Sequence, residues 1–127
     1  MKLRIRGSSL RLRLSQGEVR TLLEQGEVAD AITFPGGARL TYRVSADVKL
    51  DEISSSYENN LIEIRIPEKL VAHWCGTDLV TLSGAQPTAS GELRFAVEKD
   101  FACLAPRQDE DESDHFPHPR AGSGETC

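Results

Sequence analysis

The stretch Ser9-Leu10-Arg11-Leu12-Arg13-Leu14 alternates apolar leucine with basic arginine. Because side chains of a β-strand point to its two faces in turn, this period of two predicts a strand with leucines inside and arginines outside. The next residues begin a helix, since Ser15 and Glu18 have the spacing of a capping box. Apolar residues at helical spacing follow, and Gly26 is expected to end the helix.

The same kinds of signal continue on both sides of this stretch. Upstream, residues 2–6 alternate basic and apolar side chains and predict another strand. Downstream, residues 28–34 predict a strand, Pro35-Gly36-Gly37 a turn, and residues 40–44 an alternating strand. The first half therefore reads as strands around one short helix.

The second half of the chain repeats that order. Shifted by 52 positions, the leucines of residues 10–14 fall on the isoleucines of residues 62–66, and the first helix falls on a second. Residues 79–82 and 93–97 predict its remaining strands, separated by a turn-rich loop over residues 86–91. An extra strand is expected at residues 53–57, pairing with residues 61–66.

The predicted fold class is α+β. Two βαββ units, over residues 1–47 and 53–100, form one small, mostly antiparallel β body with two short helices. This single domain spans residues 1–105. The expected core consists of the apolar positions of these elements: Leu10, Leu12, Leu14, Leu22, Leu40, Tyr42, Ile62, Ile64, Ile66, Trp74, Leu93, Phe95 and Val97.

Residues 106–127 form an acidic tail that contains three prolines. Its composition buries too little apolar surface to fold by itself. Phe116 is its one large apolar residue and would anchor the tail on a partner. The tail is therefore predicted to bind either an unknown protein or the basic face of its own body. The partner-binding residues predicted here are Asp109, Glu110, Asp111, Glu112, Asp114 and Phe116.

Charge is distributed unevenly along the chain. The 15 basic and 20 acidic residues give a net charge of -5, but residues 1–20 carry +5 and residues 108–127 carry -5. Such asymmetry predicts a partner for one end, or contact between the two ends. A nucleic-acid surface is one interpretation, and a solvated strand face or a dock for the tail are the others. The residues of that surface are Arg4, Arg6, Arg11 and Arg13.

No sequence signature of catalysis is present, and no cofactor is expected. The chain has no glycine-rich phosphate loop, no G-x-S-x-G and no H-E-x-x-H. Cys103, His115 and His118, near the tail acids, are the candidate metal ligands, and Cys103 with a tail histidine is the candidate nucleophile pair. Whether the protein is an enzyme stays open.

The cellular location of the protein is predicted from its cysteines and its apolar segments. The three cysteines are an odd number, none forms C-x-x-C, and residues 1–6 contain no apolar signal region. No apolar run approaches the length that would cross a bilayer. A cytoplasmic protein with no membrane partner is expected.

Two resemblances add to these observations. The segment of residues 7–15, Gly-Ser-Ser-Leu-Arg-Leu-Arg-Leu-Ser, with the helix and strand pair that follow, resembles the swapped-hairpin unit of AbrB-like and MazE-like regulators. The second half, from Ile62, resembles the same unit. This likeness implies a DNA-binding regulator that uses the N-terminal arginine strands.

Over nearly its whole length, the chain resembles an uncharacterised bacterial family of unknown function. The likeness lies in the strand of residues 2–7, in residues 97–104 and in the acidic residues 110–117. It implies no activity. The function expected is that of a small, non-enzymatic interaction or regulatory module. DNA binding is the alternative, and a metal protein or enzyme comes third.

Overall fold

The computed structural model describes residues 1–101, which form eight strands and two helices. Each half of the chain has the order strand, strand, helix, strand, strand. The first half contains β1 (Lys2–Arg6), β2 (Ser9–Leu14), α1 (Gln16–Gln25), β3 (Glu27–Thr33) and β4 (Arg39–Asp47). The second half contains β5 (Ser54–Glu58), β6 (Leu61–Pro67), α2 (Glu68–Gly76), β7 (Thr81–Thr88) and β8 (Gly91–Lys99).

The prediction of an α+β fold rich in strands is confirmed, but each half is ββαββ rather than βαββ. The additional strands are β1 and β5, at the two places where the sequence already indicates a strand outside the repeated order. Each of them closes a hairpin with the strand that follows it. The repeating unit is therefore two hairpins joined by a helix.

The two halves exchange hairpins instead of forming separate sheets. The first sheet has the strand order β1-β2-β8-β7, and the second has the order β3-β4-β6-β5. Each sheet thus takes one hairpin from each half. The prediction of a mostly antiparallel body is only partly right, because the pairs that join the hairpins, β2 with β8 and β4 with β6, are parallel.

Equivalent positions of the repeat take equivalent places in the two sheets. Leu10 lies opposite Phe95 in the first sheet, and Ile62 lies opposite Tyr42 in the second. These pairs correspond to each other under the repeat, which shifts Leu10 by 52 positions to Ile62 and, after one inserted residue, Tyr42 by 53 positions to Phe95. The internal repeat is therefore supported by the strand register as well as by the residue pattern.

Helix α1 begins and ends where local chemistry requires. The Ser15 hydroxyl accepts from the Glu18 amide at 3.3 Å, and the Glu18 carboxylate accepts from the Ser15 amide at 2.9 Å. Gly26 ends the helix with φ +83°, a left-handed conformation that glycine adopts without strain. Within residues 1–101, neither helix is long and apolar enough to cross a bilayer.

The core lies between the two sheets and is closed at one end by the two helices. Leu12, Ile64 and Trp74 are fully buried, as predicted. Leu40, Ile62 and Leu93, placed in the predicted core, are only half-buried, because they lie at the opposite end of the sheets. Tyr42 is also only half-buried. The residues of the buried core cluster that the predicted core omitted are Val28, Val44, Val71 and Leu82.

Strand β7 is longer than predicted. It starts at Thr81 and runs through Thr88, so that the expected loop of residues 86–91 is reduced to a tight turn. Pro87 is tolerated because β7 is an edge strand, where a missing N–H need not break a central ladder. Gly84 is required within it, since a Cβ there would lie 2.8 Å from the Phe95 ring.

Leu12→Ala and Ile64→Ala should each destabilise the protein by about 2–5 kcal/mol, because each leaves a cavity in the same core. Both side chains have no exposed surface, and they occupy equivalent positions in the two halves. Denaturant unfolding of the two variants measures the cost. Leu23→Ala, on a side chain that is 53% exposed, is the control. A cost well under about 1 kcal/mol at either core position would contradict the shared core.

Candidate functional site

The outward face of the first sheet collects most of the basic residues of the N-terminal strands. The leucines of β2 point into the core, so Arg11 and Arg13 point outward, and residues paired with them share that face. Lys2 lies opposite Arg13. We call this surface the arginine face, and its cations are Lys2, Arg4, Arg6, Arg11, Arg13 and Arg94.

These cations stand in three rows across the sheet. Near the helices, Lys2 and Arg13 share a row with Glu98. The middle row contains Arg4 and Arg11. In the row at the open end, Arg6 and Arg94 lie on either side of Ser9. Successive rows are about 6–7 Å apart, which is the repeat of every second residue along a strand.

Carboxylates neutralise the rows unequally. The Arg13 Nε atom donates to Glu98 at 2.7 Å, and Arg11 lies 3.7 Å from the same carboxylate. Lys2 pairs with Asp100 at 2.9 Å. The helix end of the face is therefore largely compensated by acids that the fold itself supplies.

The open end of the arginine face keeps more of its positive charge. Arg94 pairs with Glu92 at 3.2 Å, but its side chain is 79% exposed. No carboxylate of residues 1–101 lies within ion-pair distance of Arg6. An anion approaching this end meets guanidinium groups that are exposed to solvent.

The outward face of the second sheet has balanced charge. Its central Glu63 is buried and accepts from Arg43 at 2.5 Å and from Arg65 at 2.7 Å. Burial alone would raise the pKa of Glu63, but the hydrogen bonds from Arg43 and then Arg65 outweigh it and lower that pKa below its usual value. The excess of positive charge is thus a property of the first sheet.

A groove opens between the two sheets at the end away from the helices. We call it the open-end groove; its volume is about 630 Å³. Ser55 donates to the Gln86 side-chain oxygen from its amide at 2.9 Å and from its hydroxyl at 2.5 Å, so these two rim residues are paired with each other. Three further polar residues, Ser9, Ser56 and Thr88, also line the groove. The rest of the lining is chiefly apolar, with Ile5, Leu10, Leu40, Tyr57, Ile62, Pro87 and Leu93.

A second cavity, of about 530 Å³, lies beside the helices. Its lining includes Cys75, Lys99 and Asp100. Burial raises the pKa of the Cys75 thiol, and the nearby positive charge of Lys99 opposes this without reversing it. Cys75 is therefore a protonated thiol at neutral pH, which is the unreactive form.

The structure brings together Arg4, Arg6, Arg11 and Arg13, the four arginines predicted to share a surface. Lys2 and Arg94 join them, which the sequence analysis missed. The sequence does indicate that Arg94 faces outward, because it alternates with the buried Phe95. It does not indicate that Arg94 lies beside the N-terminal arginines, because that depends on the pairing of two strands distant in sequence. The predicted tail residues Asp109, Glu110, Asp111, Glu112, Asp114 and Phe116 lie outside the described residues, as do Cys103, His115 and His118.

The described residues contain no grouped set of metal ligands. Among residues 1–101, no three histidine, cysteine or acidic side chains are grouped so that they could hold a metal ion. His73, on α2, is exposed. The predicted ligand set falls on residues that the structure does not describe.

Two interleaved ββαββ halves with a basic sheet face define a small α+β protein whose candidate site is a binding surface. The model of DUF7009, a family of unknown function, matches residues 1–120, and the chain belongs to that family. The predicted resemblance to a family of unknown function is thereby confirmed. No curated protein and no solved structure matches the chain, so the likeness to AbrB-like and MazE-like units stays a prediction.

Glu63→Gln should lower the free energy of unfolding at pH 7 by about 1–2 kcal/mol, because the two arginine bonds lose their charged acceptor. The folded-state pKa of Glu63 is lowered from 4.5, so its contribution is present above that pH and is lost as pH falls through the folded pKa. Unfolding measured at neutral pH and below pH 4 should show the difference shrinking. The control is Glu58→Gln, an exposed residue on the neighbouring strand. A difference that is independent of pH would contradict this role.

Proposed function

We propose that this protein is a non-enzymatic binding module that recognises an acidic segment of a partner protein on the arginine face. The observation that carries the proposal is the register of the first sheet, which brings six cations from three strands to one outward surface. The balanced charge of the other sheet face makes this surface the natural site for an anion. A cytoplasmic location belongs to the same proposal.

An extended acidic peptide fits the spacing of the rows. Its alternate side chains repeat every 6–7 Å or so, as the cation rows do. Arginine suits this partner because its planar group can pair with a carboxylate through two parallel bonds. A peptide that places one acidic side chain at each row would lie on the face parallel to the strands.

The buried Glu98 has a positioning role in this interface. It holds the Arg13 guanidinium at 2.7 Å and has Arg11 within 3.7 Å, so these two long side chains are already ordered before a partner arrives. Ordering them in advance lowers the entropy lost on binding. Its carboxylate also competes with the incoming anion for the same arginines.

Nucleic acid is the second candidate. The exchanged hairpins and the antiparallel ribbon of β1 and β2, with cations along one side, support a DNA-binding regulator of the AbrB or MazE kind. Two observations favour the protein partner instead. The outward face of the first sheet contains no aromatic side chain among residues 1–101 on which an unpaired base could stack, and the net charge of -5 opposes a long polyanion more than a short acidic segment.

Arg6→Ala and Arg11→Ala should each weaken binding of a fluorescent decaglutamate peptide about two- to fivefold, since an exposed ion pair contributes up to about 1 kcal/mol. Fluorescence anisotropy at two salt concentrations measures this, with tighter binding expected at low salt. Arg39→Ala, which removes an exposed arginine from the other sheet, is the matched control and should bind as the wild type does. Equal weakening in the control would contradict the site. A random-sequence DNA duplex that binds while decaglutamate does not would favour the second candidate.

Glu98→Gln should bind decaglutamate more tightly than the wild type, because it removes a negative charge from beneath Arg11 and Arg13. The same anisotropy titration measures the change. Glu92→Gln serves as a comparison at an exposed position. Binding weakened by Glu98→Gln, in a variant whose circular dichroism is unchanged, would show that positioning of the arginines outweighs the competition for them.

A further inference from the structure

We propose that the open-end groove is the docking site of this chain's own Phe116, with the acidic residues 109–114 lying across the arginine face. This inference rests on the proposed function, because the docked tail competes with an acidic partner for the same cations. The groove and the arginine face consist of residues within 1–101. The segment proposed to occupy them, residues 109–116, follows in the sequence.

The groove is suited to a large apolar side chain. Ile5 and Tyr57 leave 63% and 62% of their surfaces exposed there, so the groove presents apolar surface that no residue of 1–101 covers. Among the polar residues of the lining, Ser55 is bonded to Gln86, and the Ser9 hydroxyl donates to the Arg6 carbonyl oxygen at 2.8 Å. An aromatic ring entering this space would cover chiefly apolar surface.

The chain has the length to reach the groove. Asp100 pairs with Lys2 at the helix end of the arginine face, so the described chain ends beside that face. The open end lies one β8 length away, which for its 9 residues is about 30 Å. The 15 residues from Phe101 to Phe116 span up to about 50 Å. The surplus allows the acidic run to lie over the arginine rows on the way.

Charge and composition select this segment as the occupant. Residues 109–114 contain five carboxylates and no cation, and only His115 separates them from Phe116. Beyond Leu104, Phe116 is the only large apolar side chain of the sequence. Of the two cations nearest the groove, Arg6 has no carboxylate of residues 1–101 within ion-pair distance, and Arg94 keeps 79% of its side chain exposed although it pairs with Glu92. An acidic run followed by one aromatic therefore matches a basic face followed by one apolar groove.

Nuclear Overhauser contacts in the full chain test the docking directly. Ring protons of Phe116 should contact the methyl groups of Ile62 and Leu93, and Phe116→Ala should remove those contacts and shift the same methyl resonances. Phe34→Ala, which removes an exposed phenylalanine outside the groove lining, should leave them unchanged. Absence of the contacts in the wild type would overturn the proposal. Contacts found only between differently labelled chains would overturn it in favour of a second copy.

Decaglutamate affinity separates this inference from the proposed function. A tail docked about nine-tenths of the time weakens a competitor on the order of tenfold, so Phe116→Ala should bind the peptide about tenfold more tightly than the wild type. Equal affinity of wild type and Phe116→Ala would overturn the competition and leave the proposed function standing. If neither protein binds the peptide, the proposed function fails, and the methyl contacts still decide where Phe116 docks.

Discussion

Strands β2 and β8 pair in parallel over residues 9–14 and 94–99, and this pairing joins residues as far apart in sequence as Arg13 and Glu98. Closing so long a loop costs chain entropy, which the burial of Leu12 against the neighbouring Val97 helps to offset. The pairing of β4 with β6 does the same for the second sheet. Because both sheets are built from hairpins of different halves, neither half can complete a sheet alone.

The parallel pairing completes the arginine face, because five of its six cations lie on the antiparallel hairpin of β1 and β2 and the sixth lies on β8. Lys2, Arg4 and Arg6 come with β1, but Arg94 and the buried Glu98 arrive from the last strand of the described chain. Glu98 also fixes the register, because a slip by one residue would turn its carboxylate into the core. Glu63, held by Arg43 and Arg65, has the corresponding part in the second sheet. Such buried ion pairs contribute more to a unique register than to net stability.

Local signals in the sequence predict the individual strands and helices well, but they do not predict which strands pair with each other. The capping box at Ser15 and the alternation of residues 9–14 each depend on neighbours within a few positions, so both are visible in the sequence. Alternation says which face of a strand is buried, but it does not say which strand lies beside it. The sequence therefore could not predict the exchange of hairpins between the halves. For the same reason it could not predict that Arg94 lies on the arginine face.

The open-end groove escaped prediction for a related reason. Leu40, Ile62 and Leu93 have the same alternating pattern as the fully buried Val44, Ile64 and Val97 on the same strands. What differs is their position along the strands, because the helices cover one end of the sheets and nothing among residues 1–101 covers the other. The alternating pattern predicts which way a side chain points, but it does not predict how far along the strand the core extends.

Charge and apolar contact act at different ranges in this molecule. Residues 1–101 hold 13 of the 15 basic and 14 of the 20 acidic side chains, so nearly all of the negative net charge belongs to residues 102–127. That charge repels an acidic partner at a distance, but salt screens it beyond about 8 Å at physiological ionic strength. The apolar contact of one aromatic ring with the groove has no such dependence. Raising the salt concentration therefore removes the general repulsion by the tail and weakens contacts of residues 109–114 with the arginine face, but it does not weaken the apolar contact proposed for Phe116. The salt dependence of docking thus measures how much charge contributes to it beside the apolar contact.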